Sequence, residues 1–485
     1  MNGTDKPAQG HEVKRRAIER GKRAESPAEQ KVNLGKIRPH ALELSGDPEQ
    51  QYDMLLRHIG EAEVVMIGEA THGTHEFYEE RARITKRLVE EKGFTMVVCE
   101  ADLVDMDHVN RYIRGRSPKE NAAAALSGFR RYPLWIFRNT AVADFVEWAK
   151  QHNEQVISKH KPSRRAVSLH GFDLQGLYKS LEVVIQYLEK RDPQAAKLAR
   201  QRYARFYQFA PDPHDYGLGT SAGGSSDSCQ HDCARMLAEL RELGPETRAP
   251  GGDKHRHRCQ DDAYFFALQN AVVVQDSEAY YRTLYESYET AWNVRDRHMF
   301  NALVALKDHC EALCGRPCKV VVWAHNCHVS DARATEIAWD WGQINLGQLV
   351  KEKYGEKAFS IAFSTYSGSL TAAPAWGEAG RRVQLPPAMA GCQEDVFHQL
   401  SLPRFLLDSS RAEPQDLELM KRSIGLVYRE DSEETYNYYR VKVFQQYDRM
   451  IFIDQTRAVE PLDEESVSNR IGKDDEMPQT YPLGV

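Results

Sequence analysis

The stretch Ile67-Gly68-Glu69-Ala70-Thr71-His72-Gly73-Thr74-His75-Glu76-Phe77 follows an apolar run at 64–67 and precedes a helical pattern over 77–92. The apolar run reads as a buried strand, so the residues between form a strand-to-helix turn. In α/β proteins such turns lie at the carboxyl edge of the sheet, where ligands bind. Two histidines and two carboxylates on one turn exceed what packing requires. This turn therefore indicates an α/β fold and marks a first candidate site.

Working outward, further short β-branched runs lie at 95–100, 166–171, 319–324, 358–363 and 449–454, with helical patterns between most of them. The alternation predicts a mostly parallel central sheet flanked by helices. No strand pattern occurs between the third and fourth runs. Periodicity there, as in Leu177, Leu181, Val184, Ile185 and Leu188, predicts a largely helical subdomain over 174–318. Inside it, 212–259 is rich in Gly and Ser and then in His and Arg, and reads as a flexible insertion loop. Residues 1–40 interleave basic and acidic side chains and read as a disordered or loosely helical tail. They lack the apolar segment of a secretory signal. Residues 461–485 read as an acidic tail, leaving 41–460 as the catalytic domain.

The chain has 485 residues, 41% of them hydrophobic, enough for a sizeable core. Its formal net charge of -7 argues against a nucleic-acid partner held by a basic field. No apolar run approaches the roughly 18 residues that suggest a membrane span. The nine cysteines are odd in number, and several fall in or beside predicted elements (Cys99, Cys310, Cys314, Cys327). That pattern suits free thiols in a reducing compartment, so a cytoplasmic location is expected; a monomer is favoured.

Four strand ends carry chemistry. Glu69 and His72 at the first form a carboxylate–imidazole pair suited to general-base work, since the carboxylate fixes the tautomer and stabilises the imidazolium. His75 and Glu76 behind them contact substrate or cap the next helix. The second strand ends in Glu100 and Asp102, the third in His170 and Asp173, the fourth in His325 and His328. Arg81, on the helix after the first turn, reads either as a cation for an oxyanion or as half of a surface salt bridge. Two other patterns are decoys. Gly219-Thr220-Ser221-Ala222-Gly223 matches a nucleophile elbow but lacks a preceding strand. Cys229, Cys233, His255, His257 and Cys259 have metal-ligand types at irregular spacing.

The block from Gly68 to Phe77 resembles the signature of the erythromycin esterase family. The resemblance continues through Val97-Val98-Cys99-Glu100, His170-Gly171-Phe172-Asp173, Trp292-Asn293-Val294-Arg295-Asp296 and Trp323-Ala324-His325-Asn326-Cys327-His328, over roughly residues 40 to 460. It implies hydrolysis of a macrolide lactone or another ester, without a serine nucleophile, a metal or another cofactor. By the same resemblance His72 is the essential histidine, Glu69 its acidic partner, Arg81 the arginine of the following helix, Glu100 the strand-end acid, and His325 and His328 the paired histidines.

The expected mechanism has His72, oriented by Glu69, activating a water. Arg81 and His325 or His328 stabilise the oxyanion, Glu100 positions Arg81 or a histidine, and His75, Glu76, Asp102 and Asp173 contact substrate. Two alternatives stay open. The turn also resembles that of a wider superfamily with metal-dependent and haem-binding members. His72, His325, His328 and Glu69 would then hold a divalent metal, or the cleft would bind a ligand without turnover.

Overall fold

A computed structural model describes residues 27–47, 50–158, 166–210, 212–221, 227–245, 254–375, 377–409 and 417–468. The apolar runs become strands. The main sheet contains β1 (Ala41–Glu43), β2 (Val64–Ile67), β3 (Met96–Asp102), β4 (Ser168–Asp173), β5 (Val320–Trp323), β6 (Ala358–Ala372), β7 (Arg381–Leu385), β8 (Arg404–Asp408) and β11 (Arg449–Thr456). A separate antiparallel pair joins β9 (Glu418–Arg422) and β10 (Tyr438–Lys442).

The main sheet runs β1-β8-β11-β6-β2-β5-β3-β4, with β7 paired to β6. From β11 to β4 every neighbour is parallel. These six parallel strands overlap the six apolar runs read from sequence. The edge beyond β11 is antiparallel, as β8 pairs with both β11 and β1. The fold is thus mixed α/β, a central sheet flanked by helices.

Both faces of the central strands are buried, as near-continuous apolar runs require. Val65, Ile67, Val97, Val321 and Ile361 pack on one side, and Val64, Met66, Val98, Val320 and Ala362 on the other. Helices α1 (Pro27–Ile37), α2 (His75–Lys92), α3 (Leu103–Ile113) and α4 (Thr140–Ser158) precede β4. Between β4 and β5 lie α5 (Leu177–Arg191), α6 (Pro193–Tyr203), α7 (Pro213–Thr220), α8 (Gln230–Leu243), α9 (Lys254–Leu284) and α10 (Tyr288–Cys314). Side chains of α5 to α9 share a core of their own around Leu181, Tyr203, Tyr216 and Leu237.

Three expectations from the sequence need correction. The segment 212–259 holds α7, α8 and the start of α9 where a loop was expected. Residues 27–40 are helical and lead into β1. Residues 461–468 dock instead of trailing away. Buried Arg138 binds Asp463 at 2.8 Å and Glu465 at 3.0 Å, and its carbonyl accepts from the Leu462 amide. Residues 1–26 and 469–485 lie outside the described residues. Among the described residues, no helix is long and apolar enough to cross a membrane.

Candidate active site

The turn between β2 and α2 is fixed by backbone hydrogen bonds from distant segments. The Glu69 carbonyl accepts from the Asn326 amide (2.8 Å) and the Ala70 carbonyl from the Ile424 amide (3.1 Å). The Gly73 carbonyl accepts from both Thr371 and Val459 amides (2.9 Å each). Gly73 is required by this crowding: a Cβ there would lie 1.8 Å from the Thr371 carbonyl oxygen.

On this turn, the Nδ1 of His72 is 3.0 Å from Glu69 Oε1. The other Glu69 oxygen lies 3.2 Å from an Arg81 Nη2. The Arg81 guanidinium is held between the Tyr78 and Trp323 rings, 4.7 Å from each centroid. All three polar side chains are 2% exposed, which makes their mutual charge pairing obligatory. The remaining ring nitrogen of His72, Nε2, has no hydrogen-bond partner, and His72 lines a cavity of about 40 Å³. A carboxylate on Nδ1 selects the tautomer that leaves Nε2 as the acceptor.

Across the cavity, β3 carries an extra residue relative to β4. Its register passes from Cys99↔Gly171 to Asp102↔Asp173, a bulge that re-aims the strand end. Gly171 accommodates it, because a Cβ there would lie 2.4 Å from the Asp102 carbonyl oxygen. Glu100 accepts from the His325 backbone amide (2.8 Å) and from Arg295 Nη2 (2.6 Å), and lies 3.3 Å from His328 Nε2. Burial opposes its charge, but His328 and Arg295 outweigh that and hold its carboxyl well below the usual range. Asp173 grips the same arginine at 2.8 Å.

The His325–His328 pair divides by partner. His328 has Asp296 at 2.9 Å on Nδ1 and Glu100 on Nε2. Burial alone lowers its pKa, yet the two carboxylates raise it to about 9, so it carries a proton at neutral pH. His325 lies with its ring 4.8 Å from that of His72. Burial first, and then the neighbouring His72, push its pKa well below the ordinary value, so it is neutral. Its Nε2 donates to the Ile424 carbonyl (3.2 Å) and its Nδ1 lies 3.0 Å from Cys327 Sγ.

The structure therefore brings together Glu69, His72, Glu100, His325 and His328, and rearranges the other expected contacts. Arg81 backs Glu69 and does not line the cavity, and Glu100 meets Arg295 and His328 in place of Arg81. Asp102 and Asp173 line the cavity but hold arginines: Asp102 binds Arg131 through two hydrogen bonds, at 2.8 and 2.9 Å. His75 and Glu76 do not line it. The His75 amide donates to the Arg457 carbonyl, and the Glu76 carboxylate accepts the Arg457 amide and pairs with its guanidinium. They anchor the segment after β11, and no side chain caps α2 at Thr74. His170 lies half-buried away from the cavity, where desolvation lowers its pKa to about 3.

Two site residues carried no role in the reading of the residues themselves. Arg295 and Asp296 are adjacent on α10, and only the motif resemblance pointed to them. The cavity wall from Phe129 to Phe137, with Arg131 and Tyr132, follows no strand run and gave no signal at all.

A resident metal does not fit these side chains. Both ring nitrogens of His325 and of His328 are already engaged, and among the described residues no group of three or more His, Cys, Asp or Glu could hold a metal ion. Ser221 of the decoy elbow follows helix α7, with no strand before it. Cys229 and Cys233 are buried in the helical core, and the side chains of His255, His257 and Cys259 lie outside the described residues.

Comparison with known proteins gives the chain's family and fold. The family model described as erythromycin esterase matches residues 89–456. The match starts beyond the Glu69–His72 turn, so that turn rests on its own geometry. YbfO of Bacillus subtilis, named for a hydrolase, is 21% identical over 63% of this chain, and the matched region spans 65% of YbfO, just under two thirds. The type II erythromycin esterase of Escherichia coli is 22% identical over 67% of this chain and 75% of its own. Among solved structures, one titled as a succinoglycan biosynthesis protein superposes with a TM-score of 0.68 at 20% identity, covering 90% of this chain and 100% of its own. A mutant of the erythromycin esterase EreC in its open conformation gives 0.60 at 15% identity, covering 87% and 99%. At these identities the superpositions establish the fold.

Proposed function

The chain belongs to the erythromycin esterase family, and from that premise we propose a hydrolase that cleaves a carboxylic ester or lactone with water activated by His72. The observation that carries this reading is the His72 Nε2 atom. It is buried, unpartnered, and belongs to a ring that lines the cavity, while Nδ1 is held by Glu69. A base of this kind takes one proton from a water as the water oxygen attacks the carbonyl carbon. Among the described residues lining the cavity there is no serine or cysteine, which favours direct attack by water.

The surrounding charges favour the proton's transfer to His72. Four carboxylates (Glu69, Glu100, Asp173, Asp296) face three cations (Arg81, Arg295, His328). An imidazolium at His72 completes the balance, and the neutral His325 ring beside it does not oppose the new charge. Arg295 lines the cavity and is the cation we assign to the developing oxyanion, the role expected of Arg81. Collapse of the tetrahedral intermediate sends the His72 proton to the leaving alkoxide, so ester plus one water gives acid plus alcohol.

A cavity of about 40 Å³ holds a few waters and no large ester, so the Phe129–Phe137 wall must move for substrate to enter. The test is a panel of aryl esters, aliphatic lactones and macrolides read by mass spectrometry. A lactone product heavier by one water, or an acid and a phenol from an aryl ester, formed by the wild type and not by His72→Ala, supports the proposal. Intact substrates across the whole panel would overturn it.

A further inference from the structure

We propose that Cys310 and Cys318, with Cys314 beside them, form a reversible two-thiol oxidation site for hydrogen peroxide, at the end of β5 opposite the cavity. Cys310 and Cys314 lie one turn apart near the end of α10, on the same helical face. Gly315 ends the helix in a left-handed conformation, and the Cys318 amide donates to Glu311 Oε1 at 3.0 Å. That bond folds Cys318 back against the helix just before β5 begins. The Cys310 thiol is within hydrogen-bonding reach of both Cys318 and Cys314.

The surroundings favour thiolate at Cys318, while the hydrogen bond to Cys318 and burial push the Cys310 thiol far up. The Arg114 guanidinium acts on Cys310 and Cys314, and the Lys307 ammonium on Cys318. The hydrogen bond from Cys310 draws the Cys318 thiol below its ordinary value, against the effect of burial. Elsewhere burial raises the thiols, as for Cys99, pushed up to about 12. Cys310 and Cys314 are half-buried. An open cleft lined by Thr95, Arg316, Pro317 and Lys319 flanks Cys318, and the Thr95 hydroxyl is 3.7 Å from its sulfur. Cys318 is itself buried, so peroxide, a small neutral oxidant, must enter from that cleft, and a depressed thiol beside a cation is the reactive kind.

In the first step the Cys318 thiolate attacks one peroxide oxygen. The O–O bond breaks, the leaving hydroxide takes a proton to become water, and Cys318 becomes a sulfenic acid. The Cys310 thiol then attacks the Cys318 sulfur, its proton passes to the hydroxide that leaves as the S–O bond breaks, and a second water departs. Two thiols are oxidised by two electrons and one peroxide is reduced to two waters. The helix carrying Arg295 and Asp296 is thereby stapled to the strand leading to His325.

The test treats the full chain with a small excess of hydrogen peroxide, alkylates the remaining thiols and digests with a glutamyl endopeptidase, which cuts after Glu311 between Cys310 and the other two. The expected result is a Cys310–Cys318 linked pair, reversed by dithiothreitol, retained in Cys314→Ser and absent in Cys310→Ser and Cys318→Ser. Full alkylation of Cys310 and Cys318 after peroxide, or oxidation that ends as sulfinic acid on separate residues, overturns the proposal. A link to Cys314 alone overturns the assigned pairing. The wild-type digest decides these points even where a serine variant folds poorly.

Discussion

The imidazole of His328 lies flat on the indole of Trp292, with ring centroids 4.7 Å apart and only 5° between the planes. An indole face attracts a cation. The stack therefore works with Asp296 and Glu100 to keep a proton on a fully buried histidine.

That proton makes stability depend on pH. The folded pKa of about 9 stands above the ordinary 6.5, so the stabilisation is fully present below about pH 6.5 and is lost as pH rises through about 9. The shift corresponds to roughly 3 kcal/mol. Urea titrations of wild type and His328→Gln should show a stability gap that is constant at acid pH and narrows by about that amount toward pH 10. A gap independent of pH would show that folding leaves the His328 pKa unshifted.

His72→Ala should lower kcat/KM for any hydrolysed ester by at least about a hundredfold, the scale of a lost general base. The melting temperature should fall as well, because the Nδ1 hydrogen bond to Glu69 is lost with the buried ring. Steady-state kinetics beside a thermal melt separate the two effects, and near-wild-type turnover would refute the role.

Arg81→Ala leaves the Glu69 carboxylate buried beside an imidazole without its cation. Breaking a buried pair in this way typically costs about 3–5 kcal/mol. Arg81→Lys should recover only part of it, since a point charge does not fill the slot between Tyr78 and Trp323. Denaturant unfolding of the two variants checks the order; equal stability for Lys and Ala would contradict it.

Gly73→Ala places a methyl group against the Thr371 carbonyl, in backbone that cannot yield as a side chain would. The expected cost is at least about 1–3 kcal/mol of overpacking, together with loss of activity from the displaced His72. A variant with wild-type stability and turnover would show that the turn has slack the contacts do not reveal.

The parallel strands were legible because each is a short run of β-branched residues buried on both faces. The antiparallel additions were not. β7 is mostly exposed, with only Leu385 buried, and β9 and β10 mix charged with apolar residues. The helix α7 was hidden by its glycines, whose presence reflects packing: a Cβ on Gly217 would lie 2.4 Å from the Tyr281 carbonyl oxygen. In α8 the buried Cys233, Met236, Leu237 and Leu240 keep helical spacing, but the surrounding His, Gly and Ser composition masked it.

The site divided in the same way. Glu69, His72, Glu100 and the His325–His328 pair could be found because they end apolar strands. Arg295 and Asp296 sit on a long helix, where a charged pair ordinarily faces water, and only the fold reveals that both are buried. The acids at 102 and 173 were found, but the arginines that neutralise them come from a loop and from that same helix.

Ile424 donates its amide to the carbonyl of Ala70 and accepts His325 Nε2 with its own carbonyl. One residue late in the chain thus clasps two segments of the candidate site, one 99 residues earlier and the other more than three times as far back. A nascent chain released before that point would contain every proposed reacting group and still lack their arrangement. Under the proposed function, turnover would be a readout of completed synthesis and closure, and a truncated product would be silent instead of weakly active.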